Sequence, residues 1–156
     1  MNQSVEKHLV SDRGAVVLLV DEDLEYLESM RGIIHRSGHS VSACNSYTEG
    51  IRQLESGAFD IVVVGQGSRN FEGRCVLECA TAFDRHLPVV VVARNVEIGC
   101  YLEAMQLGAV DYISPGLSGS EITRAVQTHA VHRKSRTGNV KSERATAAAI
   151  SAGLVA

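Results

Sequence analysis

Three consecutive carboxylates, Asp21, Glu22 and Asp23, stand directly behind an apolar run of this chain. Carboxylates grouped at the end of a strand are the ligands a hard divalent cation needs, and equally the groups that cap a helix N-terminus and complement its macrodipole. Farther along, Gly65-Gln66-Gly67-Ser68 follows a second apolar run. A Gly-rich turn there could offer backbone N–H groups to a phosphate, but it is neither G-x-G-x-x-G nor a P-loop, and a loop filling a surface gap accounts for it more simply. Cys44, Cys75, Cys79 and Cys100 match no zinc or C-x-x-C spacing and read as buried free thiols. The histidines (His8, His35, His39, His86, His129, His132) show no ligand spacing, and G-x-S-x-G is absent.

The elements that must position these groups follow from periodicity. Val16 to Val20, Phe59 to Val64 and Leu87 to Ala93 are continuous apolar runs, as strands buried on both faces of a parallel sheet are. Ser40 to Cys44 and Ala109 to Ile113 are shorter strands. Helical spacing marks Leu24 to Arg36, closed near Gly38; a segment opened by Ser46 and Glu49 as a capping box and closed by Gly57; and Cys75 to Phe83, with Val76, Leu77, Ala80 and Phe83 on one stripe. Glu97 to Leu107 repeats the rhythm through Ile98, Tyr101, Leu102 and Met105, and Ser120 to Val131 through Ile122, Ala125, Val126 and His129. Five strands alternating with five helices through short connections require right-handed crossovers and helices on both faces, an α/β doubly wound sheet of three layers. Its chemistry gathers at the carboxyl ends of the strands.

The 156 residues hold 45% apolar and 21% charged side chains and two prolines, the balance of one soluble domain with tails. The expected division is a tail over 1–13, the domain over 14–131 and a basic tail over 132–156. Residues 133–145 carry +4 of a total of −3, which leaves −7 for the rest. An acidic body argues against direct nucleic-acid binding, and neither a signal peptide nor a membrane-spanning run is present, so a cytoplasmic protein without membrane contact is expected.

VVLLVDED (16–23), FDIVVV (59–64), LPVVVVA (87–93) and GAVDYIS (108–114) fall in the order and spacing of bacterial response-regulator receiver domains, a resemblance covering residues 14–131. It implies a five-stranded sheet of order 2-1-3-4-5 and a place in two-component phosphorelay signalling. It also implies five working groups: an acidic pair holding a divalent metal, a phosphoacceptor aspartate, a Thr or Ser, and a lysine. The metal neutralises the charge that opposes carboxylate attack on a phosphoryl group; hydroxyl and ammonium then hold the phosphoryl oxygens. Asp21 and Glu22 match the acidic pair, with Asp23 beside them. Gly65 falls at the phosphoacceptor, Ala93 at the hydroxyl, and Pro115, or with a one-residue slip Ser114, at the lysine. Asp60 lies roughly 16 Å from Gly65 at about 3.3 Å per residue, at the wrong end of the strand. Metal binding is therefore expected to be weak or absent at Asp21 and Glu22, with no cofactor and no enzymatic activity.

Tyr112 matches the aromatic that in the family turns toward the hydroxyl residue. Held inward, it would mimic an activated face; a plain half-buried tyrosine is the alternative. Arg94 could pair with Asp21 or Glu22 in place of a metal, or simply stand in solvent. The expected function is a phosphorylation-independent interaction module, binding a protein partner or a second copy through the last strand and flanking helices, with Tyr101, Met105, Tyr112 and Leu117 on that face. The competing reading is a small-ligand binder or enzyme on the same flavodoxin-like scaffold, using the pocket emptied at Gly65 and Ala93.

Overall fold

The computed structural model describes residues 14–116 and 118–130; Leu117, Val131 and the tails expected at 1–13 and 132–156 lie outside the described residues. Five strands, β1 (Val16–Val20), β2 (Ser40–Cys44), β3 (Ile61–Gly65), β4 (Val89–Val92) and β5 (Asp111–Ile113), form one parallel sheet of order β2-β1-β3-β4-β5. The helices are α1 (Leu24–Arg36), α2 (Tyr47–Ser56), α3 (Arg74–Phe83), α4 (Ile98–Gln106) and a fifth, α5, over 120–130.

Why the strands read as unbroken apolar runs is plain from their two faces. Successive side chains point to opposite sides. Leu18, Val20, Val62, Val64, Val89 and Val91 pack with Leu54, Val76, Leu77 and Ala104 of α2, α3 and α4. Val17, Leu19, Ile61, Val63, Val90 and Val92 pack with Leu27, Met30, Ile34, Ile122 and Val126 of α1 and α5. Burial on both faces leaves no polar alternation to find.

Local signals place the ends. Asp23 caps α1 by accepting the Tyr26 N–H, and Gly38, at φ +92°, turns the chain after it. Ser46 accepts the Glu49 N–H, as half of the expected capping box requires; the Glu49 carboxylate turns instead to Gln53 and Arg52. Because β1 connects to a helix on one face and β3 to a helix on the other, their carboxyl ends frame a crevice at the switch point of the sheet.

One helical stripe, that of α3, is corrected at Phe83, and that of α4 lies on the outward side, where Tyr101 and Met105 are expected to form an interaction face. Ile98, Tyr101, Leu102 and Met105 do not face the core but are 73%, 42%, 53% and 40% exposed, whereas α4 buries the small residues Cys100 and Ala104. Small side chains let the helix lie close to the sheet, and the large apolar ones are left outside. Phe83, at the end of α3, is likewise exposed.

Candidate functional site

Asp21 follows the last residue of β1, where its N–H is fixed on the Cys44 carbonyl at 3.1 Å. Its side chain is turned across the crevice toward β3 and is buried, with 7% of the residue exposed. A Cβ placed on Gly65 would meet Asp21 Oδ2 and lie 2.9 Å from its Cγ, so the Asp21 carboxylate fills the space above the end of β3. A side chain at position 65 would have to displace the Asp21 carboxylate that follows β1.

A buried carboxylate is costly unless charge and hydrogen bonds compensate it. Asp21 Oδ1 accepts the Asp23 N–H at 2.9 Å. Arg94, two residues past β4, reaches over both acids, with Nη1 2.9 Å from Asp23 Oδ2 and Nη2 3.7 Å from Asp21 Oδ1. Its guanidinium also lies 4.8 Å from the centroid of the Tyr26 ring, which steadies it through a cation–π contact. Burial still wins at Asp21 and pushes its carboxyl above the ordinary range, against the Asp23 N–H and Arg94. Asp23 moves the other way, held low first by the Tyr26 N–H and also by Arg94. Of the two pairings expected for Arg94, that with Asp21 forms; its second acid is Asp23 and not Glu22, which is exposed.

The β3–α3 loop closes the other side. Tyr47 donates to the Gly65 carbonyl at 3.2 Å, and its phenol is raised above the usual range, chiefly by burial. Ser68 and Glu72 tie the loop together through the Ser68 N–H at 2.6 Å and the hydroxyl. Gln66 is buried beneath them. Its Oε1 accepts the Tyr112 O–H, and Tyr112 Oη accepts the Glu97 N–H at 3.2 Å, so Tyr112 is directed inward by a partner other than the residue at 93. Ala93 is buried, and Ser114 turns its hydroxyl to the Arg94 carbonyl. Asp60 lies at the opposite edge, where it accepts the Val16 N–H at 2.9 Å. The remaining crevice, about 710 Å³, is lined among others by Asp21, Glu22, Gln66, Ser68, Arg69 and Arg94.

The chain matches the family of response regulator receiver domains over residues 17–131. The protein belongs to that receiver family. Among curated proteins it is 22% identical over 119 residues to the transcriptional regulatory protein ZraR of Escherichia coli (strain K12), covering 76% of this chain and 27% of that protein. It is 26% identical to the C4-dicarboxylate transport transcriptional regulatory protein DctD of Rhizobium meliloti, covering 88% and 30%. The chain thus spans less than a third of these relatives. A CheY-like receiver domain protein from Methanospirillum hungatei shares the fold with a TM-score of 0.71 at 19% identity, over 79% of this chain and 98% of that one.

The divalent metal of working receivers does not fit the residues present. Such a cation needs several oxygen ligands, whereas Asp21 Oδ1 is engaged by a backbone N–H and Arg94 already brings positive charge to Asp21 and Asp23. No cluster of three metal-ligating side chains occurs among the described residues. Cys44, Cys75 and Cys100 are raised by burial, and all four cysteines are free thiols. No helix among the described residues is long and apolar enough to cross a membrane. Sequence reasoning missed the anchoring roles of Gln66, Tyr26 and Tyr47; for Gln66 the available signal was its place directly behind Gly65.

Replacing Gly65 by Asp should crowd Asp21 and add a second carboxylate, costing about 1–3 kcal/mol by overpacking in urea denaturation with EDTA present. An Asp21→Ala background should recover part of that loss; additivity of the two changes would contradict the contact. The raised carboxyl of Asp21 has its own signature. The folded state holds that proton more tightly than the unfolded chain, so ionised Asp21 opposes folding at neutral pH and ceases to do so as pH falls through the carboxylate range. Asp21→Asn should therefore be the more stable protein in thermal melts at pH 7, with the gap closing in acid; a gap that widens in acid would reverse the sign.

Proposed function

We propose that this chain is a pseudo-receiver, a phosphorylation-independent, regulatory protein-interaction module of a two-component pathway. The observation that carries the reading is the Asp21 carboxylate lying over Gly65, where the gapless resemblance puts the phosphoacceptor side chain. Glycine offers no nucleophile, and the one carboxylate in that space is tied to the Asp23 N–H and faces Arg94. Ala93 supplies no hydroxyl, and neither Pro115 nor Ser114 supplies an amine. A carboxylate attacks a phosphoryl group only when strong positive charge screens both. Here a half-exposed guanidinium already shared by two acids takes the place of a divalent ion.

The partner surface is the outward side of α4 with β5. Ile98, Tyr101, Leu102 and Met105 line the helix, and Val110 is exposed just before the last strand. The acidic residues at its margin are engaged, Glu97 by Arg69 and Glu103 by Arg74, which leaves an uncharged apolar face. Clusters of this kind mark sites where another protein or a second copy packs. The acidic body of the domain disfavours nucleic acid.

Incubation with Mg²⁺ and a small acyl phosphate should leave the intact mass unchanged, whereas a stoichiometric phosphoryl adduct would sink the reading. For the surface, Leu102→Glu should keep stability within about 0.5 kcal/mol. It should weaken association with the partner or second copy at least roughly tenfold in sedimentation, as loss of a central apolar anchor does; equal association of both proteins would place the interface elsewhere.

A further inference from the structure

Gln66 and Asp21 are the two buried polar side chains among the described residues, and Gln66, at 3% exposure, is the deeper. A buried carboxamide is tolerated when its oxygen and nitrogen are both engaged. Gln66 Nε2 donates to the Ser68 carbonyl at 3.3 Å, and Oε1 accepts the Tyr112 O–H. The residue itself is anchored at the end of β3, donating its N–H to the Val92 carbonyl at 2.8 Å and accepting the Gly73 N–H at 3.1 Å. The side chain therefore projects from a rigid base.

Tyr112 carries the connection onward. Its oxygen accepts the N–H of Glu97, the residue that opens α4, and the Tyr101 ring of α4 packs edge-on against it with centroids 5.5 Å apart. Burial raises the Tyr112 phenol above its usual range, so it stays protonated and able to donate at neutral pH. The helix held in this way is the one that exposes Ile98, Leu102 and Met105.

We infer that Gln66 is a positioning residue that latches Tyr112 inward and, through Tyr112, fixes the first turn of α4, so that the interaction face is set by a neutral hydrogen-bond chain within the molecule. This rests on the pseudo-receiver reading for its meaning in signalling, but the latch is a physical claim of its own. It names the regulation: the orientation of α4 is permanent in the unmodified chain and responds to whatever perturbs the Gln66 carboxamide.

The test is amide hydrogen exchange of the full chain followed by NMR, without Mg²⁺ or phosphodonor, so that it stands whether or not a phosphoryl group can be attached. Gln66→Met removes the acceptor and should speed exchange of the Glu97 amide roughly tenfold, the scale of one lost hydrogen bond. Tyr112→Phe should do the same, and the double variant no more than either alone. Gln66→Glu, which keeps an acceptor oxygen at the same reach, should retain most of the protection and serves as the second variant should Gln66→Met fail to fold. A Glu97 amide that keeps its wild-type rate in Gln66→Met, or one that is equally unprotected in Gln66→Glu, would overturn the latch. So would a uniform acceleration across the β1 and β3 amides, which would mean loss of general stability instead.

Discussion

The placement of one carboxylate governs the strand-end edge of this domain. Asp21 is turned over Gly65, into space that any side chain at position 65 would contest. From that contact the rest follows as compensation. A carboxylate taken out of water needs donors and positive charge, which come from the Asp23 N–H and Arg94. Arg94 in turn is steadied by Asp23 and the Tyr26 ring, both at the start of α1. A loop after β4 and a helix after β1 are thereby joined by charge within the chain, at the place where other receivers hold a metal.

The second half of the edge is neutral. Gln66, Tyr112 and the Glu97 N–H run from the end of β3 to the opening of α4 without a full charge in the hydrogen-bonding groups. Neutral hydrogen bonds impose geometry without the desolvation penalty of a buried ion pair, so this arm holds its shape while half-buried. The charged arm joins the ends of β1 and β4 to α1, and the neutral arm joins the ends of β3 and β5 to α4, the helix with the exposed apolar face. The geometry supports a domain whose surface is set by its own side chains.

Much of the fold was legible because strands buried on both faces cannot hide: Val16–Val20, Ile61–Gly65 and Val89–Val92 carry only apolar residues and one glycine. Caps such as Ser46 and the turn at Gly38 act locally and were read locally. For α4 the pattern marked a helix but not its covered side, for a physical reason. Its large apolar residues, at 98, 101, 102 and 105, have helical spacing, but periodicity reports which residues share a face and not whether that face is covered. Cys100 and Ala104 won the sheet because they allow close packing. At the site, the residue types at 65, 93 and 115 were visible from order alone, whereas the bond between Gln66 and Tyr112 spans 46 positions and needed the sheet to bring its ends together.

Arg94 already occupies the two acids Asp21 and Asp23 from within the chain. This is tested most directly by titrating Mg²⁺ into the protein while following the amide resonances of Glu22, Gly65 and Arg94. Only the small, non-saturating drifts that ionic strength produces are expected. A saturable shift centred on Glu22 and Gly65, accompanied by movement of Arg94 away from Asp23, would contradict that occupancy and return the crevice to the metal-binding chemistry of its relatives.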